Sequence, residues 1–218
     1  MDLKKFTDNL FQENKNKKDD FNKYYKLAIQ DTMKKDWKNA EKNYKKAIEL
    51  SPDNIDAHYN FAVASYDNAR ESGNKKDMQL AAERYEIVLL KNPDDVESLV
   101  NLAVIYINYD FLNNFDKAKD LLEHAISLNN NYGLAWLNLG NYYTHRGGAP
   151  TIVATVNKIS NDSKSRTIKF NIHDLFKALK CYDKAFQLDE SLLESFKSFR
   201  EVTIGAIDIL KSIMKSKS

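Results

Sequence analysis

The chain has 218 residues, 43% of them hydrophobic and 11% aromatic, enough material for one large domain or an array of repeats. Its 33 basic and 31 acidic residues leave a formal charge of +2, and only five of the basic residues are arginine. That balance gives no electrostatic footprint for nucleic acid and no strong pull toward an anionic membrane. A single cysteine, Cys181, excludes a disulfide or a cysteine-based zinc site within this sequence, while six glycines and three prolines favour long helices over a turn-rich sandwich.

Residues 1–20 are rich in lysine and asparagine, with Leu3, Phe6, Leu10 and Phe11 on one helical face. They are expected to form a short helix or to be disordered. They hold no apolar run of signal-peptide length, and no stretch in the chain approaches the roughly 18 apolar residues of a membrane span. A cytoplasmic protein without membrane insertion is the expectation.

From residue 21 the sequence repeats itself. The segments 21–54, 55–95, 96–132 and 133–190 each read as two amphipathic helices joined by a turn. The second helix opens on a recurring phrase: "DWKNA" (36–40), "DMQLA" (77–81), "NFDKA" (114–118) and "DLFKA" (174–178). Its leading Asp or Asn is helix N-cap chemistry. Its alanine (Ala40, Ala81, Ala118, Ala178) is followed seven residues later by another small residue (Ala47, Val88, Ala125, Ala185). Tyr44, Tyr85, Leu122 or Tyr182 lies between the two. The first helix has its own small residue: Ala28, Ala62, Ala103 or Gly140. Small residues at fixed offsets let paired helices approach closely.

The extra residues in successive repeats fall between the first and second helices. The largest insertion, 147–172, has β-branched runs either side of "SNDSK" and is expected to form a β-hairpin arm. Residues 191–218 continue an apolar rhythm through Leu193, Phe196, Phe199 and Val202. Arg200 occupies the slot where a packed second helix would need a small residue, so this segment is expected to be a C-terminal capping helix.

These offsets resemble the tetratricopeptide repeat (TPR) family, whose unit is a helix–turn–helix of about 34 residues. The match runs through Tyr24, Leu27, Ala28, Ala40, Tyr44, Ala47 and Pro52 in the first repeat. In the fourth it runs through Trp136, Leu139, Gly140, Tyr143, Ala178, Tyr182 and Ala185. Asp31, Asn130, Glu190 and His58 depart from the family pattern. The resemblance implies an all-α fold: a right-handed superhelical solenoid of four repeats over 21–190, with a capping helix after it.

No catalytic constellation emerges. His58, His124, His145 and His173 lack metal-ligand spacing, and Cys181 has no histidine-containing motif beside it. "RGG" (146–148) lacks the Lys-Ser/Thr of a phosphate-binding loop. A non-enzyme without metal or cofactor is the expectation. In the resembled family the first helices line a concave groove. Carried over, its inward positions fall on Tyr25, Lys26, Tyr59, Asn60, Val63, Val100, Asn101, Val104, Leu137, Asn138 and Asn141.

Asn60, Asn101 and Asn138 share one offset. An asparagine amide can pair with both main-chain groups of an extended peptide. The arrangement is similar to the asparagine ladder in the repeat domains of sugar-transferring enzymes. The two-carboxylate clamp of chaperone adaptors is not matched, because its slots hold Tyr25, Ile29, Asn60, Glu97 and Asn101. The implied function is a scaffold that holds a partner peptide in the groove. The rival expectation is a structural or homo-oligomeric subunit, joined through the C-terminal helix or with its groove filled by its own terminus or a neighbouring copy.

Overall fold

A computed structural model of the chain describes residues 3–109, 112, 114–149 and 171–215, with the side chains of residues 3–11 outside the described set. The described residues are helical and turn, with no strand among them. In chain order the helices are α1 (Leu3–Met33), α2 (Trp37–Leu50), α3 (Ile55–Ser72), α4 (Lys75–Lys91), α5 (Val96–Asn108), α6 (Phe115–Leu128), α7 (Gly133–Arg146), α8 (Ile172–Leu188) and α9 (Ser191–Lys215). The chain forms two compact units, Met1–Ser98 and Leu99–Ser218, so the division falls inside α5.

In the first unit α1 packs on α2, α2 on α3 and α3 on α4, and α1 also touches α3. The core holds Ala28, Ala40, Tyr44, Phe61 and Ala64, with Tyr25, Trp37, Ile48 and Leu80 against it. The repeat alanines are what allow this closeness: Ala28, Ala40 and Ala47 are at most 1% exposed, so the aromatic rings between helices fill the remaining space. Tyr44 stacks on Phe61 at 5.3 Å between centroids and meets Tyr25 edge-on at 6.4 Å.

In the second unit α6 packs on α7, α7 on α8 and α8 on α9, with α9 also touching α7. Ala118, Leu122, Ala125, Ala178, Tyr182 and Ala185 are fully buried, as the repeated phrase requires. Gly140 lies against the Tyr182 ring, where a Cβ would stand 2.6 Å from Cε1.

The caps differ from the sequence expectation in three of four repeats. Asp36 does cap α2, its carboxylate accepting from the Asn39 N–H. Asn114 stands at the N-cap of α6 without a side-chain cap bond. Helices α4 and α8 begin earlier than their phrases, so Asn74 and Asn171 take the capping role. Asp77 and Asp174 then sit three residues after the cap, where a carboxylate favours the helix dipole.

The insertion behaves as a closed excursion at its base. The Asn171 N–H donates to the Gly147 carbonyl, and Arg146 Nε lies 3.3 Å from the carboxylate of Asp174, itself only 3% exposed. The expected β-hairpin spanned 147–172: its described ends, 147–149 and 171–172, hold no strand, and residues 150–170 lie outside the described residues.

Two expectations change at the termini. Helix α1 runs unbroken through residue 21, so the N-terminal segment extends the first repeat helix and does not turn back on the array as one piece. In α9 the face that packs is Leu192, Thr203, Ala206, Ile207 and Leu210, whereas Leu193, Phe199 and Val202 are 36–39% exposed. The helix is rotated because Thr203 and Ile207 meet α7 and the Leu175 cluster, and Arg200 is drawn to Asp183 at 2.8 Å.

Candidate partner-binding face

The family groove positions fall on both units, and each set has its own chemistry. In the first unit Tyr25 and Lys26 come from α1, and Tyr59, Asn60 and Val63 from α3. Lys26 is exposed and the others are half-buried. Asn60 Nδ2 donates to the Tyr25 hydroxyl across one repeat. Burial holds the Tyr25 hydroxyl above its ordinary pKa, with the Asn60 bond working against it. Tyr59 donates to a carboxylate oxygen of Glu97 at 2.7 Å and packs edge-on against Tyr85. Both tyrosines are therefore fixed by a neighbouring repeat before any partner arrives. Asn60 keeps its carbonyl oxygen uncommitted among the described residues.

In the second unit the three asparagines are not equal. Asn138 Nδ2 donates to the Leu134 carbonyl at 2.8 Å, and its Oδ1 accepts from Asn141 Nδ2 at 3.3 Å. Asn141 Oδ1 in turn accepts from the Tyr182 hydroxyl at 2.9 Å. Tyr182 also contacts Thr144 at 2.8 Å, and Thr144 contacts Thr203 at 2.9 Å, which joins α7, α8 and α9 through buried hydroxyls. Burial pushes the Tyr182 hydroxyl up to about 12, so it is a neutral donor at any working pH. Asn138 and Asn141 are thus the outer end of an internal polar strut. Asn101, half-buried on α5, makes no side-chain hydrogen bond among the described residues and keeps its whole amide.

Two expected face residues are lost to the core. Val100 is 3% exposed and Leu137 1% exposed, so they offer a partner no surface. An apolar side chain next to the packing stripe gains more by turning inward than by staying wet. Val104 remains half-buried. The Asn141–Asn138 pair could have been read from the i, i+3 spacing on one helix. The Tyr182 contact could not, because it spans 41 residues.

Other candidate chemistry is absorbed by the fold. His58, 3% exposed, has Nε2 2.9 Å from the Pro52 carbonyl and Nδ1 3.4 Å from Arg84 Nη1. A carbonyl accepts and a guanidinium donates, so the neutral ring carries its proton on Nε2. Burial, with Arg84 and Lys91 nearby, holds its pKa below the ordinary value. Burial also pushes the Cys181 thiol up to about 12, which leaves almost no thiolate for nucleophilic chemistry. Among the described residues no group of three His, Cys, Asp or Glu could hold a metal ion, and no helix is long and apolar enough to cross a membrane.

Stacked helix–turn–helix pairs with interlocking alanine and tyrosine positions, ending in a longer helix, define the class: an all-helical repeat protein. Residues 32–68 match the TPR repeat family. Its fold is similar to a crystal structure of the MamA protein, at 18% identity and TM-score 0.59, over 91% of this chain and 94% of that one. It is also similar to the MamA fragment from residue 41 to the end of Desulfovibrio magneticus RS-1. There the identity is 13% and the TM-score 0.57, over 92% and 98% of the two chains. At these identities the likeness is one of fold. No curated protein matches the chain in sequence. Tetratricopeptide folds generally mediate protein–protein interaction.

Proposed function

We propose that this protein is a non-catalytic binding module that holds extended segments of a partner protein against the faces of its first repeat helices, Asn60 being the main-chain contact on the first unit and Asn101 that on the second. One observation carries the reading: the Asn101 amide is half-buried yet uncommitted. A partly desolvated amide without partners is costly unless something pairs with it, and a peptide main chain supplies both a donor and an acceptor. Tyr25 and Tyr59, fixed by Asn60 and Glu97, would give flat apolar contacts beside Asn60 at low entropic cost. Lys26 would stand exposed at the edge, favouring an acidic residue in the ligand.

The test is affinity capture from a lysate with quantitative mass spectrometry, wild type against the Asn60→Ala, Asn101→Ala double variant. Loss of one specific partner, with the helical circular dichroism spectrum retained, supports the reading. Equal recovery by both forms refutes it.

A second reading rests on α9, which exposes Leu193, Phe199 and Val202 in its first half and Ile213 and Met214 near its end. Such a stripe fits a second copy of this chain. Light scattering over a concentration series decides it. A dimer abolished by Phe199→Glu with Val202→Glu would support self-association, and a monomer throughout would remove it.

A further inference from the structure

Between α2, α3 and α4, inside the first unit, lies a narrow crevice lined by Trp37, Ala40, Glu41, Phe61, Ala64, Ser65, Asn68, Asp77 and Leu80. Its apolar walls include Trp37, Phe61 and Leu80, and its free volume is about 10 Å³, the room of one water-sized group. Its polar lining is two carboxylates, an amide and a hydroxyl, and no cation is among the lining residues.

These groups are only partly used by the fold. Asp77 Oδ2 accepts from Asn68 Nδ2 at 2.8 Å, and one Glu41 oxygen pairs with Lys45 on the exposed flank. Asn68 Oδ1 and the second Glu41 oxygen have no partner among the described residues. Ser65 is the independent sign of a ligand. It is 5% exposed, it lines the crevice, and its hydroxyl makes no hydrogen bond among the described residues. Burial, and next the charge of Glu41, hold the Asp77 carboxyl above its ordinary pKa, against a side-chain bond from Asn74.

We propose that this crevice receives a primary ammonium group on an apolar stem, such as the end of a lysine side chain from a partner protein or a polyamine. An ammonium is water-sized and carries three donors, which Glu41, Asp77 and either Ser65 or Asn68 can accept. The methylene stem lies along Trp37 and Leu80, as long cationic side chains commonly do on apolar surface. The indole face adds a cation–π attraction. A divalent metal fits less well. Calcium takes about 6–8 oxygens, and two carboxylates that already accept other bonds fall short of that. None of the lining residues belongs to the face proposed to hold the peptide, so either site can fail without the other.

Trp37 reports on the crevice once Trp136, the second tryptophan of the chain, is replaced by phenylalanine. In that background Trp37 emission is followed during titration with N-acetyl-lysine methylamide, its Nε-acetylated form, spermidine and calcium chloride. The expected result is a saturable change with the first and with spermidine, half-complete near millimolar concentration. The acetylated form should produce none. The ratio of the two active ligands distinguishes a lysine side chain from a polyamine. Glu41→Gln, whose salt bridge is exposed, should weaken binding about fivefold. Asp77→Asn should do so at least as strongly, provided its helical spectrum is unchanged. An equal response to the acetylated ligand, a response to calcium alone, no response, or an unaltered Glu41→Gln curve would each overturn the proposal.

Discussion

Gly140 has no side chain, and the Tyr182 ring occupies the place where one would go. Replacing a glycine inside a helix by alanine ordinarily gains about 1 kcal/mol. Here the new methyl would stand 2.6 Å from a ring carbon, and the ring cannot swing aside while its hydroxyl is held by Asn141 and Thr144. Overpacking of this kind costs about 1–3 kcal/mol, so steric cost wins. Gly140→Ala is expected to lower the melting temperature by several degrees. A melting temperature at or above wild type would show that the helices can separate.

His58 makes a pH prediction of definite sign. Its folded pKa lies below the ordinary value of 6.5, chiefly because of burial. The unfolded chain therefore binds the proton more readily, and the stability contribution is full above pH 6.5 and lost as pH falls toward the folded value. Denaturant midpoints should decline from pH 7 to 5.5 in the wild type and decline less in His58→Gln, whose amide can keep both the Pro52 and Arg84 contacts. Parallel curves would remove His58 as the source.

Among the elements, the fourth repeat is closed at the base of its inserted segment. Its two ends are brought together by the Asn171–Gly147 backbone bond and the Arg146–Asp174 ion pair, while the Thr144–Tyr182 contact ties α7 to α8 further in. Exchanging residues 150–170 for a short glycine–serine link should therefore leave the melting temperature within a few degrees, since loop-closure entropy changes only slowly with length. A loss of more than about 10 °C, beyond the 4–8 °C expected per kcal/mol for a small domain, would mean that the segment itself packs on the repeats. In helix α9 the hydroxyl strut through Thr203 lies on the face that packs, together with Ile207 and Leu210. Leu193, Phe196, Phe199 and Val202 have sound helical spacing, but Thr203 is fully buried because Thr144 and the Phe199 carbonyl satisfy its hydroxyl.

For the molecule as a whole, the repeat was legible because its alanines must recur wherever two helices touch: Ala40, Ala81, Ala118 and Ala178 are all at most 1% exposed. The long α1 was less legible, since its polar turns between Gln12 and Asp20 have adequate helix propensity but no apolar face to announce them. The candidate site was only half legible. The shared offset of Asn60, Asn101 and Asn138 was visible in the sequence. Their fates depend on partners 35 residues away for Asn60 and, for Asn138, on Asn141 and through it Tyr182. Three rungs in the sequence become one open rung, one half-open and one closed.

That inequality is the central claim, and calorimetric titration of the captured partner segment against single variants tests it most directly. Asn101→Ala should weaken binding about tenfold, the loss of one to two net hydrogen bonds, at unchanged stability. Asn138→Ala should leave affinity within about twofold and lower stability by about 1 kcal/mol, because it removes the end of the strut. Equal affinity losses for the two variants, or a loss confined to Asn138→Ala, would contradict it.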